Sequence, residues 1–200
     1  MLDWIKNINK DYPEFWKEYL SKFELKNKSK RVVVFSAEKS GNIPGKDVLY
    51  SLGSVAVENG TIVVSDCFEV LLLQYIYLHD NGISNEFIIE SKQTKLNEPA
   101  AIQSFIEYIG SATLVGYRID YNIEMINQVL EKIHCGRLKN EALDIEIMFK
   151  KWKDNSDKSF SLEELCTAFK VPTNEIKTAT DDAYNCALLF LKLKSRLGIG

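Results

Sequence analysis

The sequence predicts an α/β domain built on a mixed sheet of five strands that begins antiparallel and ends parallel, flanked by helices and preceded by a helical extension. Three observations carry that expectation. RVVVFS at 31–36 is a β-branched run of the kind found in strands covered on both faces. Glu58-Asn59-Gly60 separates two strand-like runs, 48–57 and 61–68, and Asn-Gly supplies the positive φ angles of a tight hairpin. From about residue 97 onward, short apolar runs alternate with apolar residues at three- and four-residue spacing, the order that lays parallel strands beside helices.

In chain order, residues 1 to about 25 read as an amphipathic helix, because Tyr12, Phe15, Trp16, Tyr19, Leu20 and Phe23 recur at helical spacing. Asp11 is its expected cap and Pro13 lies in its first turn. The polar run Lys26-Asn27-Lys28-Ser29-Lys30 reads as a linker, so 1–30 form an extension and 31–200 the main domain. The extension is expected to pack on that domain; docking a protein partner is the alternative. Beyond the hairpin, residues 80–96 give no readable pattern. A helix follows from about Asn97 to Ile109, then a short strand at Thr113–Gly116. The next helix runs from about Tyr121 to Ile133, with Ile126, Val129, Leu130 and Ile133 on one face. Ala142-Leu143-Asp144 reads as a last strand before a helix to Lys153, and Ser161-Leu162-Glu163-Glu164 is a capping box opening another helix. The final helix runs from about Thr180 to Leu197 and stops at Gly198.

Composition narrows the function. Two hundred residues suit one main core. The 25 Lys and Arg against 28 Asp and Glu give a net charge of −3, which excludes a histone-like or ribosomal role and confines nucleic-acid binding to a local patch. The longest apolar run, Val70–Leu78, contains Gln74 and is about half the length that crosses a bilayer, so no membrane role is expected. Charges interrupt the apolar residues of the N-terminus, which therefore lacks a secretory signal, and a cytoplasmic location is expected. Cys67, Cys135, Cys166 and Cys186 form no C-x-x-C pair and are expected to be reduced and mostly buried. Gly41 to Asp47 resembles a phosphate loop, but three residues separate its glycines where four are needed, and Asp47 stands where a hydroxyl must meet magnesium. It is expected to be a turn. No G-x-S-x-G elbow occurs, and His79 and His134 are expected to be structural. In the run Lys150-Lys151-Trp152-Lys153 the aromatic is expected to pack inward beneath a solvated lysine face.

Three segments carry chemistry: FSAEKSG at 35–41, LVGYRIDYN at 114–122 and KTATDDA at 177–183. In this order and at these separations they resemble the three motifs of the proofreading-type 3′–5′ exonucleases, of which the epsilon subunit of bacterial DNA polymerase III is one. The resemblance covers about residues 31–195 and implies a ribonuclease H-like fold. The family's first motif, Asp-x-Glu-Thr-Thr-Gly, places two carboxylates on one side of a strand, where they hold magnesium ions. Here Glu38 and Gly41 agree, Ser40 is a mild change, and Ser36 stands at the aspartate position. The second motif resembles Gly-His-Asn-x-x-Phe-Asp; Gly116 and Tyr121 fit it, but Asn122 is neutral where the family has aspartate. The third, His-x-Ala-x-x-Asp-Ala, keeps Asp182 and has Lys177 in place of the general-base histidine.

The resemblance implies a catalytic group of Ser36, Glu38, Asn122, Lys177 and Asp182, with Glu38 and Asp182 as metal ligands. Two carboxylates in place of four neutralise less cation charge, so Mg2+ or Mn2+ is expected to bind weakly, as one ion or none. Asp120 and Asp181 are expected not to compensate: Asp181 lies about 100° around the helix from Asp182, and Asp120 has the place of an N-terminal cap. The single-stranded 3′ end of DNA or RNA is the expected ligand, held by backbone groups near Lys39, Ser40 and Gly41, with Tyr117 as a stacking surface and Arg118 as a cation. The alternatives are an active divalent-metal exonuclease with an altered site, and a catalytically dead protein-interaction module.

Overall fold

The computed structural model describes residues 11–24, 29–41, 43, 46–73, 92–154, 157–173 and 178–199. The described elements are α1 (Glu14–Ser21), β1 (Val32–Lys39), β2 (Leu49–Glu58), β3 (Thr61–Leu73), β4 (Lys95–Asn97), α2 (Glu98–Ile109), β5 (Thr113–Gly116), α3 (Ile119–Lys132), β6 (Ala142–Asp144), α4 (Ile145–Lys153), α5 (Leu162–Phe169) and α6 (Ala179–Leu197). His79 and Lys177 lie outside the described residues.

The strands form one sheet in the order β4-β3-β2-β1-β5-β6. β1, β2 and β3 pair antiparallel, and β5 and β6 add parallel strands beyond β1, so the mixed topology expected from the sequence is present. The expected count of five strands is corrected to six. The sixth, β4, pairs parallel with the end of β3 through Leu71↔Lys95 to Leu73↔Asn97. Three residues at a sheet edge offer too little alternation to register as a strand in sequence.

Alternation along β1 divides the core in two. Val33 and Phe35 point into a cluster with Ile102, Phe105 and Ile106 of α2 and Ile126 and Leu130 of α3. Val34 points the other way, into a cluster with Val55 and Val57 of β2 and Cys186, Ala187 and Phe190 of α6. A strand buried on both faces is continuously apolar for this reason. The hairpin between β2 and β3 turns at Asn59 and Gly60, with φ of 50° and 75°.

α1 inserts Trp16 and Tyr19 into the first cluster, so it packs on the main domain as expected. The Tyr19 hydroxyl donates to Asn140 Oδ1 at 2.6 Å and accepts from the Lys139 N–H at 2.7 Å, tying the helix to the segment before β6. The expected cap is corrected: α1 begins after Pro13 with no side-chain cap, and Asp11 lies 4.0 Å from Lys17 instead. A proline preset at φ −54° starts the helix without one. The capping box at Ser161 and Glu164 is present, and a second joins Thr178 and Asp181 at the start of α6. Of the cysteines, Cys166 and Cys186 are buried, whereas Cys67 is exposed on β3. Among the described residues, no helix is long and apolar enough to cross a membrane.

Candidate active site

The C-terminal half of β1 carries the first motif. Ser36 and Glu38 share the face of Val34, the side on which α6 lies, and pair with Gly53 and Ser51 of β2. The Ser51 hydroxyl donates to Glu38 Oε2 at 2.7 Å. Gly53 has a specific purpose: a Cβ there would lie 2.2 Å from the Thr180 backbone nitrogen and 2.4 Å from the Ala179 carbonyl carbon. The missing side chain lets the first turn of α6 rest directly on the strand beside Ser36. Thr180 Oγ1 then donates to Glu69 Oε1 at 2.7 Å, and Glu69 is Gly53's partner on β3.

The β1–β2 register shifts between Glu38 and Lys39. Just past that point the Lys39 ammonium donates to Asn122 Oδ1 at 2.5 Å. Asn122 is buried in the first turn of α3. Burial lowers the Lys39 pKa from its ordinary value.

Asp47 folds back onto Ser40 and Ile43. The Ser40 hydroxyl donates to Asp47 Oδ1 at 2.9 Å, and the Ile43 N–H donates to Asp47 Oδ2 at 2.7 Å. These two bonds, the backbone one foremost, hold the Asp47 carboxyl below the usual range. Gly41 allows the closure, since a Cβ there would come within 2.5 Å of Asp47 Oδ2.

The second motif begins where β5 ends. The Tyr117 hydroxyl donates to the Phe160 carbonyl at 2.8 Å, and the Arg118 guanidinium lies 5.1 Å from the centre of the Tyr117 ring. Arg118 adopts the left-handed conformation, φ 47°, and reaches Glu146 Oε2 at 3.2 Å and Ser159 Oγ at 2.7 Å. A base stacking on that face of Tyr117 would have to displace Arg118. Asp120 does not cap α3 as expected; it is exposed in the first turn. The cap comes from β6, where Asp144 Oδ2 accepts from the Ile119 N–H at 2.9 Å. Asp144 Oδ1 meanwhile accepts from Glu146 and Ile147, so it opens α4 as the sequence indicated and anchors α3 as well. Short-range reading found the first of these tasks but not the second, which depends on β5 and β6 being neighbours.

Glu146 was not singled out in the sequence, yet it is the most heavily bonded carboxylate near the second motif. It accepts from Arg118, Ser159 and the Phe160 N–H and pairs with Lys150 at 3.1 Å. Burial by itself raises its pKa, but the Phe160 bond, then Lys150, Ser159 and Arg118, outweigh it and bring the value down to about 2. A carboxyl with a folded pKa of about 2 against an ordinary 4.5 stabilises the fold above pH 4.5 and loses that contribution as pH falls towards 2. The loss is on the order of 2–3 kcal/mol. Chemical denaturation between neutral and acid pH should show the decline, and Glu146→Gln should remove this part of it while lowering stability at neutral pH. An unchanged acid limb in the variant would assign the decline to other carboxylates. In the neighbouring lysine run, Trp152 is half-buried against Phe149 and Phe169, with the Lys153 ammonium 4.5 Å from its ring centre.

The third motif opens α6. Asp181 accepts from both the backbone N–H and the hydroxyl of Thr178, at 3.0 and 2.9 Å, so its carboxylate is occupied by the capping box. Asp182, one position on, lies on a different side of the helix. Cys186, one turn further, is buried, and burial first, then the Asp182 charge, pushes its thiol pKa up; its bond to the Tyr117 backbone acts in the opposite direction. Ser36 of the first motif pairs with Gly53, on which the first turn of α6 rests, and Lys39 of the same motif meets Asn122 of α3. Lys177, the remaining member of the expected group, lies outside the described residues.

Of the motif positions expected to form the site, Glu38 and Asp182 carry carboxylates and Ser36 and Asn122 carry neutral oxygens, and the Asn122 oxygen faces the Lys39 ammonium. Among the described residues, no three His, Cys, Asp or Glu side chains are grouped so as to hold a metal ion.

The sheet order and flanking helices are those of a ribonuclease H-like fold. Solved structures of exonuclease I share the fold: a product-bound form superimposes with a TM-score of 0.63 at 16% identity, covering 85% of this chain and 44% of that one. The enzyme from Methylocaldum szegediense gives a TM-score of 0.64 at 15% identity, over 86% and 42% of the two chains. This chain thus spans less than half of exonuclease I. No profile of a known protein family matches it. By sequence it is similar to DNA polymerase III proteins. The DNA polymerase III epsilon subunit of Aquifex aeolicus is 25% identical over 177 residues, 84% of each chain. The PolC-type DNA polymerase III of Caldanaerobacter subterraneus subsp. tengcongensis is 26% identical over 171 residues, which is 82% of this chain and 12% of that polymerase.

Proposed function

We propose that the protein holds the 3′ end of single-stranded DNA or RNA in an exonuclease fold whose phosphodiester hydrolysis is weak or lost. The observation that carries this reading is the Lys39 ammonium bonded to the Asn122 oxygen; with it go the residue types at the motif positions, two carboxylates and two neutral oxygens. That set does not fit a pair of divalent ions, each of which is held by charged oxygens in two-metal sites. Glu38 and Asp182 would hold one Mg2+ or Mn2+ at most, and weakly. A metal's charge is worth several kcal/mol in a phosphoryl-transfer transition state, so its loss costs roughly a thousandfold in rate.

Binding uses other atoms than catalysis. Backbone groups near Ser40 and Gly41, the Lys39 ammonium and Arg118 supply contacts to a strand that do not need metal, and Tyr117 offers its ring once Arg118 is displaced from it. An exonuclease I structure that shares the fold at a TM-score of 0.59 contains a dA13 oligonucleotide. That likeness supports a single strand as ligand. The apolar side chains of Trp16 and Tyr19 are spent inside the chain, which leaves an external partner of α1 only its polar face. The four free cysteines suit a reducing compartment, and a cytoplasmic location is part of the same proposal.

Incubating the protein with 5′-labelled single strands bearing a free 3′ end, in Mg2+ and in Mn2+, tests the reading. Retention with little or no shortening is expected. Rapid shortening that disappears with Glu38→Ala would show a working exonuclease instead, and neither retention nor shortening would leave an interaction module.

A further inference from the structure

Resting on that reading of the pocket, we propose that Lys39 supplies from the protein itself, at the end of β1, the positive charge that divalent ions bring in the exonucleases, so that an anionic phosphodiester binds here without metal. The ladder between β1 and β2 is regular up to Glu38 and shifts at Lys39. Irregularities of this kind re-aim the side chain that follows. The re-aimed chain brings an ammonium to 2.5 Å from the amide oxygen at the position where the family carries its second-motif aspartate.

The partner is neutral, and this gives the site its chemistry. Among the described residues no ion pair involves Lys39. Burial costs the ammonium part of its hydration, and a neutral amide replaces only one of the bonds that water made. An ammonium has three donors and Asn122 takes one of them. An arriving phosphate oxygen therefore meets a cation that is partly desolvated, held in place and, among the described residues, without an ion-pair partner. Charge-assisted bonds to phosphate are the strong class of hydrogen bond.

Two departures from the family pattern explain each other on this basis. A carboxylate at position 122 beside Lys39 would form an ion pair and neutralise the cation; the amide holds the ammonium without neutralising it. Lysine at position 39 in turn makes a metal at this edge electrostatically unwelcome.

Fluorescence anisotropy with a 5′-fluorescein oligothymidylate carrying a free 3′-hydroxyl tests this, run in EDTA and in Mg2+ over a range of salt, with thermal melting to confirm that each variant folds. The wild-type chain is expected to bind equally well in EDTA and in Mg2+. Lys39→Met is expected to weaken binding by about tenfold or more. It should also flatten the dependence of log affinity on log salt by about 0.7, the signature of one lost phosphate contact to a single strand. Lys39→Arg should keep the slope. Asn122→Asp should weaken metal-free binding by neutralising the ammonium, and it carries the test should Lys39→Met not fold. Binding that requires metal, or that is indifferent to both Lys39→Met and Asn122→Asp, overturns the role of Lys39 while leaving a 3′-end pocket in place. No binding of any strand under any condition overturns both.

Discussion

Ser36→Asp, Asn122→Asp and Lys177→His, combined with Lys39→Thr, should convert the protein into a Mg2+-dependent 3′–5′ exonuclease at least about a thousandfold faster than the natural chain. The first two changes return the missing carboxylates to the end of β1 and the first turn of α3. The third returns a side chain whose ordinary pKa suits a general base near neutral pH. The fourth is required by the structure rather than by the motif comparison alone. With Lys39 still in place, a carboxylate at position 122 is taken by the ammonium that now bonds the Asn122 amide. The triple variant that keeps Lys39 should therefore gain little metal affinity, and adding Lys39→Thr should release it. Isothermal titration with Mn2+ measures the affinity, and gel analysis of 5′-labelled strands measures the cleavage. A folded quadruple variant that neither binds Mn2+ more tightly than the natural chain nor shortens a strand would refute the proposed cause of the lost activity.

Gly53→Ala should be among the most destabilising single changes in the protein, on the order of 3 kcal/mol or more. The added Cβ would fall 2.2 Å from the Thr180 nitrogen and 2.4 Å from the Ala179 carbonyl carbon. These are backbone atoms of a helix start, tied down by the Thr178–Asp181 capping box and by Thr180 to Glu69, so no side-chain rotation relieves the overlap. Either α6 lifts from the sheet or β2 bends. Lifting α6 also moves Asp182 away from β1, so ligand binding should fall together with stability. Gly60→Ala is the control: nothing lies within 4 Å of its Cβ, and φ of +75° limits the cost to about 1 kcal/mol. Urea denaturation compares the two. Equal small losses would mean that α6 does not rest on Gly53.

Some of this site was legible in the chain and some was not. The pattern of Glu38, Gly41, Gly116 and Asp182 could be read because a strand, a turn and a helix each place those residues by local geometry. Asp181 was readable as facing away from Asp182, since one residue of helix is about 100° of rotation. Gly53 could not be read, because its requirement comes from a helix that starts 126 residues later in the chain, at Ala179. The contact between Lys39 and Asn122 is similar: Asn122 could be identified as a departure and Lys39 as a candidate strand contact, but their meeting depends on a register shift in β1 and on the position of α3. Asp144 and Glu146 show the same division, since the cap each gives or receives locally is readable and the reach to Ile119, Arg118 or Phe160 is not.

The amino-acid sequence by itself determined the order of all described strands and helices but β4, the Asn59-Gly60 hairpin, the Ser161–Glu164 capping box and the loss of two carboxylates from the motifs, because periodicity, caps and turn residues act over a few positions. Only the tertiary structure decided that α6 sits on Gly53, that Asp144 caps α3, that a sixth strand closes the edge and that an ammonium faces position 122. Those outcomes depend on which distant segments the two halves of the core press together, and apolar burial is non-directional: it rewards contact without specifying in the local pattern which polar groups will meet.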